Sequence, residues 1–183
     1  DLEFIDNLIN LLMDKYSVNA ERIYATGMSN GGFFSFHLAC NLDASFAAIA
    51  SVTGSMSYET FNNCKARKPT PIMQIHGSID SVVPYAGINS VMKPVMEIME
   101  FWKTNNSCDD FVIAVPGILP GTTSWTETYL FDNCLNGTQN IHLFVQGAGH
   151  IWPGSKFHRI NEPNSSQRIW NFFSKYDING VIQ

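Results

Sequence analysis

The stretch Gly27-Met28-Ser29-Asn30-Gly31 constrains this chain more than any other part of it. Arg22-Ile23-Tyr24-Ala25-Thr26 leads straight into it and reads as a short strand, while Phe33 to Leu42 leads out as a helix. That helix is apolar almost all round and is therefore expected to be buried. A tight, glycine-bracketed turn joining a strand to a buried helix belongs to a layered fold in which helices cover a sheet. Both glycines are expected for steric reasons, because a side chain two residues before or after the serine would collide with the neighbouring strand or helix.

The rest of the chain keeps the same alternation. Ile5, Leu8, Ile9, Leu12 and Tyr16 mark an opening amphipathic helix. Phe46 to Val52 and Pro71 to Ile75 are short apolar strands, and Pro94 opens a helix whose stripe is Val95, Ile98, Met99 and Trp102. Residues 124–130 and 141–146 read as strands able to form a hairpin across the Cys134 loop. Asn164 with Gln167 has the form of a capping box, opening a last helix that buries Ile169, Phe173 and Tyr176. Residues 1–183 are accordingly expected to form one α/β domain, a mostly parallel sheet flanked by helices.

Composition excludes several classes of function. Apolar residues make up 45% and charged residues 15%, which suits a globular chain with a sizeable core. The net charge of −5 comes without any basic stripe, so nucleic acid is not an expected partner. No apolar stretch approaches the length of a membrane span. Cys40, Cys64, Cys108 and Cys134 form no CxxC pair, which argues against zinc, and no metal or organic cofactor is expected. Of three possible pairings, Cys40–Cys64 with Cys108–Cys134 is preferred, since each would staple a long loop to a neighbouring element. Two disulfides imply an oxidising compartment, hence a secreted or periplasmic protein.

The turn also carries chemistry. Gly27 to Gly31 is G-x-S-x-G between strand and helix, the context a nucleophile elbow requires. It would raise the Ser29 hydroxyl above the sheet edge and point the Asn30 amide at the reacting oxygen, near a helix N-terminus that favours negative charge. A serine needs a base, and the base an orienting carboxylate. Asp80, in His76-Gly77-Ser78-Ile79-Asp80, and His150, in Gly147-Ala148-Gly149-His150, follow later strands in the required order. His37 reads as a hydrogen-bonded residue of the buried helix, His142 lies within a strand, and His158 sits in a polar loop without flanking glycines. His76 is the best alternative to His150, yet it precedes the loop that should carry the acid and reads as structural.

At these residues the chain resembles the polyhydroxybutyrate depolymerase and feruloyl esterase family of α/β-hydrolases. The likeness rests on Gly27-Met28-Ser29-Asn30-Gly31-Gly32, on His76-Gly77 with Asp80 and Val83-Pro84-Tyr85, and on Gly149-His150 with Trp152-Pro153-Gly154. It extends to the four cysteines and to Trp170-Asn171-Phe172-Phe173. The resemblance implies a serine esterase acting through an acyl-enzyme on polyhydroxyalkanoate, feruloyl, acetyl or small model esters, with Met28, Tyr85 and Trp152 lining the acyl site. Family members carry further strands before the first helix, and a loop among them supplies a second oxyanion-hole amide. The chain is thus expected to lack the usual N-terminal strands, to expose a sheet edge and to self-associate there. An acyltransferase on the same fold, or a catalytically weak binding module, are the alternative readings.

Overall fold

A computed structural model describes residues 1–42, 45–114, 126–156 and 164–182. Its elements run α1 (Leu2–Lys15), β1 (Tyr24–Met28), α2 (Asn30–Asn41), β2 (Ala48–Val52), α3 (Tyr58–Asn62) and β3 (Ile72–Gly77). They continue with α4 (Val95–Asn106), β4 (Val112–Ala114), β5 (Thr126–Phe131), β6 (Asn140–Val145), α5 (Ser165–Phe173), and a ribbon of β7 (Tyr176–Asp177) and β8 (Gly180–Val181). The main sheet has the order β1-β2-β3-β6-β5-β4. Its first four strands are parallel, and β5 and β4 add to it antiparallel. This is the largely parallel α/β architecture expected from the alternation of elements.

β2 and β3 are buried at every position, so they read as apolar runs and not as alternating strands. The cause is coverage of both faces by helices. Ile49 and Ile72 enter a layer with Phe36 of α2 and with Ile98, Met99 and Trp102 of α4. Their neighbours Ala50, Val52, Met73 and Ile75, joined by Leu143 and Val145, face Ile169, Phe172 and Phe173 of α5. Within α1, Leu2, Ile5 and Ile9 pack on the first layer, while Phe4, Leu11 and Tyr16 stay exposed. Among the described residues β1 lies at the edge of the sheet, paired with β2 alone.

The boundaries differ from the sequence expectation in instructive ways. β1 runs to Met28, directly against the serine, and α2 starts at Asn30, so the turn between them is tighter than the pattern of apolar residues implies. No sequence pattern foretells α3, β4 or the terminal ribbon; they have two to five residues each, too few to carry a periodicity. Tyr176 is buried as expected but begins β7, because α5 stops at Phe173. Residues 124 and 125 of the expected hairpin, and His158, lie outside the described residues. Asn164 does cap α5 by accepting from the Gln167 amide at 3.1 Å. The Gln167 side chain itself donates forward to Asn171 at 2.8 Å.

Cys40 is joined to Cys64 and Cys108 to Cys134, the preferred pairings. One bond ties the C-terminal turn of α2 to the loop after α3, the other ties the end of α4 to the turn after β5. Closing loops of this size commonly contributes about 2–4 kcal/mol each, by restricting the unfolded chain. Among the described residues no helix is long and apolar enough to cross a membrane.

Candidate active site

Parallel strands in register bring their C-terminal ends together. Met28 pairs with Val52, Val52 with Ile75, and Gly77 with Val145. Ser29, Asp80 and His150 each follow one of these ends. Ser29 is held by its own amide, which donates to the Val52 carbonyl at 2.9 Å, and its φ of 56° is rare for a residue with a side chain. Such strain is a feature of a nucleophile elbow. The α2 helix starts immediately after it, so the Asn30 amide belongs to the first turn, where amides lack an intrahelical acceptor.

The glycines of the turn divide the steric work differently from the expectation. A Cβ on Gly27 would stand 2.7 Å from the Gly31 backbone, so the collision is real there. A Cβ on Gly31 would meet nothing within 4 Å, which corrects the view that both positions exclude a side chain. The close approach on the helix side lies one residue on, at Gly32, where a Cβ would come within 2.5 Å of Ser51 Oγ. The reason is direction: α2 turns the Gly31 position away from β1 and the Gly32 position toward β2. Gly27→Ala is therefore expected to lower the urea midpoint strongly. Gly31→Ala should be neutral or stabilising by up to about 1 kcal/mol through helix propensity. Equal losses in the two variants would show that Gly31 is constrained after all.

The loops after β3 and β6 are stitched to one another. The Ser78 amide donates to the Val145 carbonyl at 3.0 Å, the Ile79 amide to the Ala148 carbonyl at 3.0 Å, and the Gly147 amide to Ser78 Oγ at 2.9 Å. Gly77 permits this, since a Cβ there would stand 2.2 Å from the Ala148 oxygen. The result is that His150 Nδ1 lies 2.9 Å from Asp80 Oδ2. Asp80 Oδ1 accepts from the amides of Val82 and Val83, each at 2.9 Å, and the Asp80 side chain is fully buried. Carboxylate oxygens accept, so His150 Nδ1 carries the proton on this side, and in the neutral ring Nε2 is the nitrogen able to accept. The His150 side chain is 18% exposed.

Known proteins share this geometry's framework. Residues 2–110, which include Ser29 and Asp80, match the phospholipase/carboxylesterase family. The chain belongs to that family. Among curated relatives it is 25% identical to a bifunctional acetylxylan esterase/xylanase of Neocallimastix patriciarum, covering 100% of this chain and 24% of that protein. It is 29% identical to feruloyl esterase B of Piromyces equi over 82% of this chain and 28% of that one. For feruloyl esterase D of Neurospora crassa the identity is 25%, over 97% of this chain and 56% of the relative. The chain thus spans between a quarter and somewhat over half of the length of these relatives. An acetyl xylan esterase from Aspergillus awamori shares the fold with a TM-score of 0.65 at 18% identity, over 94% of this chain and 66% of that one. The α/β-hydrolase fold and the esterase family that the motifs suggest are therefore established.

Within this family framework the remaining side chains fall as follows. Met28 ends β1 and, like Trp152, is partly buried against the α5-side layer; Trp152 Nε1 donates to Ser166 Oγ at 3.1 Å. Tyr85 turns inward. Its ring packs against His76, His142 and Phe144, and its hydroxyl lies 2.9 Å from His142 Nε2. His142 Nδ1 lies 3.1 Å from the Gln74 carbonyl, which can only accept, so Nδ1 carries the proton and Tyr85 donates to Nε2. Complete burial holds His142 neutral by lowering its pKa to about 3. His37 is hydrogen bonded to Thr60 Oγ1 at 3.1 Å, as expected of a residue in that helix. Among the described residues no cluster of three or more His, Cys, Asp or Glu could hold a metal ion.

Sequence reasoning left Gln74 unremarked and read its neighbour His76 only as structural. Gln74 and His76 lie two apart on β3, so they share a face, and both are wholly buried. Two long polar side chains at that spacing in an otherwise apolar strand are the signal that could have found them.

Proposed function

We propose that the chain is a serine carboxylic-ester hydrolase with Ser29 as nucleophile, His150 as general base and acid, and Asp80 as the orienting carboxylate. The observation that carries this reading is the Asp80–His150 contact of 2.9 Å at the sheet edge where Ser29 sits with φ 56°. His150 Nε2 takes the Ser29 proton as the oxygen attacks the ester carbonyl. Negative charge then develops on the carbonyl oxygen, where the Asn30 amide and the N-terminal end of α2 favour it. Collapse expels the alcohol, which receives the proton from His150 and leaves an acyl-Ser29. Water, deprotonated by His150, attacks the acyl carbon; the acyl–Oγ bond breaks, Ser29 takes the proton from His150, and the acid leaves. No metal or organic cofactor enters these steps.

The names of the relatives support acetylated xylan and feruloyl esters as the acyl donors, with polyhydroxyalkanoate and small esters as further substrates from the motif resemblance. Met28, Tyr85 and Trp152 are proposed to border the acyl site, Tyr85 through its ring, since its hydroxyl is engaged by His142. Two disulfides support export to an oxidising compartment. β1, as an edge strand, is the proposed route of self-association.

An organophosphonate probe tests the assignment directly, because only an activated serine reacts with it. Peptide mapping after labelling should find the phosphonyl group on Ser29, in parallel with loss of p-nitrophenyl acetate turnover. Labelling at another serine in active protein would move the nucleophile.

A further inference from the structure

We propose that His76 is a positioning residue for the Asp80–His150 pair, holding by the Val83 carbonyl the turn whose amides clamp Asp80. The chain of contacts begins beneath the nucleophile elbow. Gln74 Nε2 lies 2.9 Å from the Gly54 carbonyl and 2.9 Å from His76 Nδ1. A carbonyl can only accept, so the amide presents its NH₂ end to both neighbours, and His76 Nδ1 must accept. The proton of His76 is then on Nε2, which donates to the Val83 carbonyl at 2.8 Å. Val83 is thereby held at both ends of the residue, its carbonyl by His76 and its amide by Asp80 Oδ1 at 2.9 Å.

This arrangement assigns the two oxygens of Asp80 different tasks. Oδ1 is occupied by the Val82 and Val83 amides, which leaves Oδ2 to His150. His76 Nε2 is 3.7 Å from Oδ2, beyond hydrogen-bonding distance, so it acts through Val83 and not by competing for the carboxylate. His76 is wholly buried and its pKa is lowered chiefly by that burial, with Asp80 opposing and His150 reinforcing the shift. The titratable groups that face it are Asp80, His150, His142 and Tyr85. A proton on Nδ1 would set two donors against each other at Gln74, so the neutral Nε2–H form is the one the network accepts. The elbow side and the acid side of the site are in this way coupled through one strand, from Gly54 through Gln74 and His76 to Asp80.

The inference rests on the esterase reading for its kinetic arm alone. His76→Asn keeps an acceptor for Gln74 but cannot reach Val83, whereas His76→Gln places an N–H near the position of Nε2. With p-nitrophenyl acetate, His76→Asn should lower kcat by about 10²-fold, the scale of a misplaced catalytic group, with KM close to that of the unaltered protein. The acid limb of kcat/KM should move to lower pH, since the His150 imidazolium loses its carboxylate. His76→Gln should restore most of kcat and return the limb. Equal losses in both variants, or a loss of kcat with an unmoved limb, would reduce His76 to a packing residue and overturn the proposal. Titration of the His150 ring by NMR gives its midpoint in each variant without substrate. Protein that turns over no ester would refute the esterase reading, while the midpoint would still decide the positioning role. If neither variant folds, ¹⁵N shifts of the unaltered protein decide which His76 nitrogen carries the proton; a proton on Nδ1 would overturn the network.

Discussion

Asp80→Asn should leave the fold intact and lower kcat for a short ester by about 10⁴-fold, the scale seen when an orienting aspartate becomes an amide. The amide cannot accept on both of its terminal atoms. Val82 and Val83 present two N–H donors to Oδ1 at 2.9 Å, so the Asn oxygen is retained there and its NH₂ group faces His150. Meeting a donor, the His150 ring places its proton on Nε2, the nitrogen that must be free to accept from Ser29. Ser29→Ala should cost still more, about 10⁶-fold, because no oxygen remains to form the acyl-enzyme. Circular dichroism and urea midpoints beside kcat would separate this from unfolding. A loss of only a few-fold in Asp80→Asn would place the acid elsewhere.

The fold should lose stability steeply as pH falls below about 6.5, where unfolded histidines take up protons. His142 is wholly buried between Tyr85 and Tyr129 and resists protonation until about pH 3. His76 is shifted in the same direction by burial. Between the unfolded and folded values the unfolded chain binds more protons, so stability rises with pH in this window and is lost on acidification. Each such histidine contributes at most about 1.4 kcal/mol per pH unit. Urea unfolding across the window would show the slope. His142→Phe should be less stable at neutral pH, having lost its bonds to Tyr85 and Gln74, but its slope should be shallower by about one proton. An unchanged slope would assign the acid sensitivity to carboxylates instead.

Residues that form local patterns are legible in the linear chain. Gly27 to Gly31 announces a strand–turn–helix, the order Ser29, Asp80, His150 follows the ends of three apolar runs, and Asn164 with Gln167 marks the start of α5. These features depend on chain neighbours, which is why a linear pattern contains them. The disulfide pairing is only a preference among three choices at that level, and the packing of α2 against the Cys64 loop and of α4 against the β5 turn decides it.

What tertiary structure alone decided are directions and long-range partners. That Gly31 faces open space while Gly32 faces Ser51 depends on how α2 leaves the turn, a rotation no spacing rule specifies. Tyr85 stands beside the expected acid in sequence and looks free to meet substrate, yet its hydroxyl is taken by His142, far along the chain. His76 looks like a bystander to Asp80 because its partners, Gln74 and Val83, acquire meaning only when β3 is buried on both faces and its polar side chains must find bonds within the protein. The sequence by itself determined the longer elements, their order and which candidate reactive groups follow which strands, since those follow from local sterics and periodicity. The sheet's register and its burial determined which atoms of those groups meet, since a hydrogen bond across tens of residues exists only once the strands between them are packed.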